Sequence, residues 1–515
     1  MARLRLALTL PGAVSLGAYE GGALTALLLA AQHLDGQLVI DAVASASSGS
    51  ITALLAARSL LRGADPVEIM TAAWVESDSL EAMRTHDVSA PLSSAVLSDL
   101  ATSLLGEEGV ADGPVRQREE VTISMALASL GGLSYRVPSL ERETAVEAGT
   151  YLDWYDITLG PSSAPEAYVR AAEPALASAA SALGFPPKLL DRSADEEAYR
   201  RAGILNFPPG GKIWYSDGGT IDNEPLGRTI EMATASNTAD ARLYLLIHPN
   251  PPLPLRGGVW WDDEEVPSWT RTLLRSFAIS QAQSIYDDLR QLEKVNSRLR
   301  WSARLSQALA EGLEEGLSGL PTEQQTSVRS SVVAALARAL EQVEQDRETL
   351  HRLQGREAPS PLEPAAPAPE DDLGEAFSQL LRLATGLAGK RTVNVGVVSP
   401  LIDSGEERSA EDQLAGEFLF HFGGFVDRRF RQSDFALGYR NMRTWIGRAL
   451  PPAGIDPAGS LAVVDARYQK LGWDTVRHGD ASLGQLSLHQ KGELALLGGH
   501  VGHILWHDLR RWSRS

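Results

Sequence analysis

The stretch LVIDAVASASSGSITALLAARSLL, Leu38–Leu61, carries the reading on which the fold turns. Apart from Asp41 and Ser45 its first eight residues are small or branched apolar types, and they suit a buried strand. From Ile51 onward alanines and leucines recur at helical spacing. Between the two lies a knot of small residues from Ala44 to Ser50, the composition of a tight turn. The local order is strand, turn, helix, with Ser47 at the apex. Such a turn lifts its apex side chain out of the sheet and aims the following N–H groups toward it from the positive end of a helix. Ser47 is on that ground a candidate nucleophile; tight packing between two elements is the competing account of the same residues.

Working outward, Leu4, Leu6, Leu8 and Leu10 alternate with Arg3, Arg5, Ala7 and Thr9, the period of a strand, which Pro11 ends. The loop PGAVSLGAYEGG follows, and ALTALLLAAQHL predicts a helix closing near Gly36. Two strand-to-helix units in succession point to a parallel sheet with right-handed crossovers. Further along, VTISMALASL and LSYRVPSL are strand-like, Pro165 opens a helical run reaching Leu183, and KIWYSDGG and LYLLIHP supply core strands. Helical periodicity fills Trp269 to Leu353 with a break near Gly319 to Pro321. The proline-rich, acidic stretch Arg356 to Asp372 is an expected linker. A helix from Leu373 to Leu387, a strand TVNVGVVSP and an aromatic, arginine-rich segment complete the chain. The expected division is an α/β core at 1–260 with an insertion at about 63–165, a helical region at 261–355, the linker at 356–372, and a C-terminal region at 373–515 that packs in part on the core.

Composition narrows the function. The 515 residues are 43% apolar and 22% charged, ordinary for a globular protein, with a formal net charge of −19. That balance disfavours a nucleic-acid partner. The absence of cysteine removes disulfides, thiolate metal sites and a cysteine nucleophile. Arg3 and Arg5 ahead of an apolar stretch imitate a secretory signal, but Gly12, Gly17, Glu20, Gly21 and Gly22 interrupt it, so the segment reads as folded protein. No spanning helix is expected, and the expected location is cytoplasmic, with or without membrane association.

A serine hydroxyl needs a base and a group that stabilises the oxyanion. Ser45 and Gly49 stand two residues either side of Ser47, giving SxSxG where the usual elbow has GxSxG. The segment Gly12 to Gly22 ends the preceding strand and places backbone donors at the same sheet edge. GAVSLG has the glycine spacing of a phosphate loop, but Ala18 and Tyr19 stand where that loop needs lysine and a hydroxyl. Asp217 follows an apolar strand and precedes Gly218 and Gly219, a turn that pushes a carboxylate into a cleft; an Asx turn capping the strand is the alternative. The apolar neighbours Ile213, Trp214 and Ile221 are expected to shield it and favour proton uptake. His248 is a second candidate base, with a structural role as the competing account. His500, His503 and His507 share a helical face, as a metal cluster would, although only Asp508 is near to complete a ligand set. The terminal LWHDLRRWSRS, with Trp506, Trp512, Arg510, Arg511 and Arg514, suits a bilayer surface or a packing tail. Arg428, Arg429 and Arg431 suit lipid phosphate or a salt-bridged helix.

Taken in order, these motifs resemble the patatin-like phospholipases and acyl hydrolases. Ser47 in ASASSGS and Asp217 in SDGG match that family's serine–aspartate dyad, and Gly12 to Gly17 with Ala18 and Tyr19 match its oxyanion loop. ASAASALGFPP from Ala177, together with Asn223 and Pro225, adds to the likeness, which covers about the first 250 residues. Phe420 to Asn441 is similar to a C-terminal extension of bacterial members. The chain departs from the pattern at Ala13 and Val14, where the family has glycine, and at Leu16, where it has a cation. A glycine-only φ at position 13 or 14 would be strained. The resemblance implies a three-layer α/β core with a mostly parallel sheet and added C-terminal helices. It implies hydrolysis of lipid or smaller acyl esters by Ser47 and Asp217, an oxyanion hole near Gly12, Ala13, Val14 and Ser48, and turns supported by Gly49, Gly218 and Gly219. No metal or cofactor is called for, and the substrate is the expected partner. The competing class is a binding or scaffold protein that kept the fold while its oxyanion loop drifted.

Overall fold

The computed structural model describes residues 3–512 apart from 77–78, 107–108, 139–144, 236–239, 250, 252–267, 354–372, 388–391, 403–409, 411–412, 420 and 474–485. The expected linker, Arg356 to Asp372, lies outside the described residues, as does Arg514. In chain order the elements are β1 (Leu4–Leu10), α1 (Gly17–His33), β2 (Leu38–Ser45), α2 (Ser48–Arg62), α3 (Pro66–Thr71), α4 (Ala95–Leu105), β3 (Val121–Pro138), β4 (Ala145–Leu159), α5 (Pro165–Ser178), β5 (Lys188–Asp191), α6 (Glu196–Arg201), β6 (Lys212–Asp217), α7 (Leu226–Ala235) and β7 (Ala241–Ile247). There follow α8 (Trp269–Leu317), α9 (Thr322–Leu353), α10 (Leu373–Ala384), β8 (Val395–Val398), α11 (Arg428–Ala449), α12 (Ala458–Leu471) and α13 (Leu488–Trp512).

One sheet runs β5-β6-β3-β2-β1-β7-β8, with β4 also on β3. The pairs β1–β2, β1–β7, β2–β3 and β7–β8 are parallel; β3–β4, β3–β6 and β5–β6 are antiparallel. The alternation in β1 does not mark a solvated face. Both faces are buried, with leucines on one and the small Ala7 and Thr9 on the other. Leu4, Leu6, Leu8 and Leu10 join the main core with α1, α2, α5 and α11. Ala7 meets Ala233 of α7, and Thr9 Oγ1 lies 2.7 Å from Thr229 Oγ1. Helices cover the sheet on both sides, which is the three-layer α/β arrangement, and a central parallel strand is expected to be apolar on both faces. Each fully buried leucine of β1 contributes about 1.5–3 kcal/mol relative to exposure.

Helix α1 is buried almost all round, as a helix without an apolar stripe must be. Val14–His33 is the one stretch among the described residues long and apolar enough to cross a membrane, and it lies inside the molecule. Gly17 and Gly21 make room for the Trp74 ring, and Gly22 lies against the backbone of Phe435 in α11. Three of the glycines that interrupt the N-terminal apolar run, Gly17, Gly21 and Gly22, are thus contact points for Trp74 and α11.

Glu20 of α1 is fully buried, and its two carboxylate oxygens have no hydrogen-bond partner among the described residues. Burial raises its pKa well above the usual carboxylate value, so the group stays protonated. A carboxyl whose folded pKa is raised adds no ionisation penalty while both states are protonated, and stability is lost as pH rises past its unfolded value toward the folded one. Glu20→Met is therefore expected to stabilise the fold by about 1–3 kcal/mol at neutral pH, with a smaller gain near pH 4. Denaturation midpoints at the two pH values check this; a pH-independent difference would mean that Glu20 is not held neutral.

Candidate active site

The C-terminal ends of β1 and β2 define the site. Ala46 N–H donates to Leu10 O at 3.0 Å, so the turn after β2 packs on the end of β1. A Cβ at Gly49 would strike the Leu10 and Pro11 carbonyls, which explains the glycine. Ser47 caps α2 with φ 51° and ψ −128°, close to the first central position of a type II′ turn, where glycine is the usual residue. Its neighbours brace the turn. Ser47 N–H donates to Ser178 Oγ at 2.9 Å, Ser50 Oγ donates to the same oxygen at 3.0 Å, and Ser178 Oγ donates to Ala126 O at 2.7 Å. Ser45 Oγ lies 3.1 Å from Ser50 Oγ. Ser178, at the end of α5, had no assigned role in the sequence; its only signal was its place in the ASAASALGFPP stretch.

Asp217 reaches Ser47 by a change of partner along β3. Ala42 to Ser45 of β2 pair with Thr122 to Met125, and two residues further on Leu127 pairs with Asp217. Leu127 and Ala128 also pair with Asp153 and Leu152 of β4, so β6 occupies the edge that β2 has vacated. β6 runs antiparallel toward the serine turn and stops where β2 would have continued. Ser47 Oγ donates to Asp217 Oδ2 at 3.1 Å, and Gly219 N–H donates to Asp217 Oδ1 at 2.9 Å. A Cβ at Gly218 would strike Ala126 O, and one at Gly219 would strike Asn223 Oδ1. Tyr215 anchors β6, donating to Asp153, which also accepts from Tyr199 at 2.6 Å. Burial raises the Asp217 pKa to about 6, against the opposing pull of the Gly219 N–H and the Ser47 hydroxyl. Of the three expected shielding residues, Trp214 is half exposed, because strand alternation turns Ile213 and Tyr215 inward and Trp214 out.

The loop after β1 divides the four anticipated oxyanion donors into two pairs. Gly12 N–H donates to Asn223 O at 3.2 Å, and Ala13 N–H donates to Ser48 Oγ at 2.9 Å. The N–H groups of Val14 and Ser48 have no hydrogen-bond partner among the described residues. Asn223 Nδ2 returns a bond to Gly12 O at 3.2 Å, tying the loop to the segment after Asp217. Ala13 has an ordinary φ of −142°, whereas Val14 sits at φ 52°, a costly value for a branched residue. Packing holds it there, against the buried cluster that includes Phe185 and Phe425. Leu16 is fully buried in the core. Ser47, Ser48 and Val14 line an apolar pocket of about 50 Å³ walled by Ile51, Leu55, Trp74, Leu100, Leu104 and Phe185.

The remaining candidates lie elsewhere or do other work. His248 is buried with Nε2 3.3 Å from Glu224 Oε1, and Ser47 donates to Asp217 instead. Burial and the charge of His248 lower the neighbouring His421 to about 4. His500 Nε2 lies 3.0 Å from Asp87 O, His503 sits edge-on to Trp506, and His507 faces Asp508. Among the described residues, no three His, Cys, Asp or Glu side chains are placed to share a metal ion. Arg428 pairs with Glu76 and Arg429 with Asp427. Arg431 is buried, and it donates to the carbonyls of Gly424 at 2.8 Å and Val75 at 3.0 Å rather than to a lipid phosphate.

Residues 8–230 match the family model described as Patatin-like phospholipase. A comparison with curated proteins finds no match.

Proposed function

We propose, on the match of residues 8–230 to the family model described as Patatin-like phospholipase, that Ser47 and Asp217 are the catalytic dyad of a serine acyl hydrolase. The observation that carries the reading is the 3.1 Å hydrogen bond to Asp217 Oδ2 from Oγ of Ser47, a residue that lines an apolar pocket. Asp217 accepts the hydroxyl proton as Oγ attacks the ester carbonyl. The tetrahedral oxyanion is held by the N–H groups of Val14 and Ser48, the two donors of the anticipated set not committed to protein acceptors, the second at the positive end of α2. Collapse expels the alcohol, which takes the proton from Asp217 and leaves an acyl ester on Ser47. Asp217 then removes a proton from water, which attacks that ester; the second intermediate releases the carboxylic acid and the proton returns to Oγ. The substrate is a carboxylic ester whose acyl chain is slender enough for the leucine- and aromatic-lined pocket. With Leu16 in the core, this position offers no cation to a head-group phosphate, so neutral esters are included.

Reaction with a fluorophosphonate tests the proposal. A covalent adduct on Ser47 is expected; its absence would favour a scaffold that has kept the fold without the chemistry. The pH profile gives a second check. Asp217 works only as the carboxylate, and its pKa is about 6. kcat/KM is therefore expected to fall about tenfold per pH unit below that value and to level off above it. A profile flat down to pH 4 would remove Asp217 as the base.

A further inference from the structure

Helix α13 packs one side on the wall of the pocket. Leu494 and Leu497 lie against the cluster of Leu92, Phe185 and Phe425, of which Phe185 and Phe425 line the pocket itself. The opposite side faces solvent and is apolar. Leu488, Leu496 and Trp506 on this side are each more than half exposed. Ala495, Gly499 and Trp506 run along its middle at helical spacing. A Cβ added at Gly492, Gly499 or Gly502 would meet nothing within 4 Å, so no other part of the described chain covers this side.

The charge pattern identifies what would cover it. The protein has a formal charge of −19, yet this side carries no acid. The two carboxylates of α13 fall elsewhere: Glu493 pairs with Arg84 at 3.1 Å, and Asp508 lies across the helix beside His507. Two cations bracket the apolar strip, Lys491 near its start and Arg510 near its end, the second stacked on Trp506 at 3.6 Å. Leucine and tryptophan on an acid-free side flanked by cations is the pattern of a helix lying in the head-group region of a bilayer, where the apolar side chains enter the interface.

We propose that this side of α13 docks on a lipid bilayer and sets the acyl pocket beside the membrane that supplies its substrate. The placement rests on the acyl-hydrolase reading for its purpose, but docking is measured without catalysis. Full-length protein is sedimented with phosphatidylcholine vesicles containing phosphatidylglycerol. Wild type and Ser47→Ala are expected to co-sediment alike. The double variant Leu496→Glu, Trp506→Glu is expected to lose at least about tenfold of the pelleted fraction, while keeping the helical circular dichroism and the turnover of a soluble short-chain ester. Wild type remaining in the supernatant, or the double variant sedimenting like wild type, would overturn the proposal. So would a wild-type dimer that the double variant breaks without any vesicle binding, since a second copy would then be the occupant.

Discussion

Ser47→Gly is expected to abolish ester hydrolysis and to leave a protein more stable than Ser47→Ala. Both substitutions remove the hydroxyl that donates to Asp217, so both are expected to lower kcat by about 10⁴-fold or more. They differ only in backbone. Ser47 is held at φ 51° and ψ −128°, a region that any residue with a Cβ occupies at a cost of about 1–3 kcal/mol and that glycine enters freely. Glycine loses about 0.5–1 kcal/mol more backbone entropy on folding, which leaves a net advantage of about 1 kcal/mol over alanine. Denaturation midpoints of the two inactive proteins measure that difference. Equal midpoints would mean that the turn is relaxed; residual turnover in both would remove Ser47 from the chemistry.

The same strain explains why the turn was legible in sequence and its support was not. A slim run of alanine, serine and glycine between an apolar strand and a leucine-rich helix is a local signal, and the reading of LVIDAVAS as a strand agrees with β2 at Leu38–Ser45. The helix break near Gly319 to Pro321 was equally local and falls between α8 and α9. What holds the turn is not local. Ser178 is 131 residues from Ser47, and nothing about a serine in an alanine-rich helix announces that it will accept a backbone N–H from a distant turn. The loop after β1 shows the same limit. Residue types suggested four donors, but only the fold reveals that Asn223 and Ser48 occupy two of them.

Strand direction was also out of reach. The apolar run before Asp217 marks a strand, but its antiparallel entry beside β3 depends on β2 ending at Ser45 and freeing that edge. VTISMALASL and LSYRVPSL read as two strands separated by Gly131 and Gly132; in the structure Val121–Pro138 is one strand, β3, whose pairing with β4 shifts register across the glycines. Glycine in a strand is compatible with either a turn or a bulge, and the partner decides which. β8 was recognised as a strand, yet its place beside β7 follows from a register that no single segment encodes.

Gly438→Ala is expected to destabilise the protein by about 2–4 kcal/mol, whereas Gly447→Ala in the same helix is expected to stabilise it by up to about 1 kcal/mol. Helix propensity alone predicts the same sign for both, so the difference isolates the contact between α1 and α11. A Cβ at Gly438 would strike the Tyr19 carbonyl oxygen, and a Cβ at Gly22 would strike that of Phe435. These are backbone atoms, which no rotamer change can move aside; the two helices must separate. At Gly447 the nearest atom is Leu461 Cδ1 at 3.6 Å, an ordinary contact. The separation would reach the site. α1 begins at Gly17, directly after the loop that carries Val14, and the same interface includes the bond from Asn441 Nδ2 to Tyr19 Oη at 3.0 Å. Gly438→Ala is therefore expected to lower hydrolysis as well as the unfolding midpoint, and Gly447→Ala to leave hydrolysis unchanged. Midpoint shifts of the same sign in the two variants would show that α11 does not set the position of α1, and that α11 is an addition to the α/β core rather than a part of it.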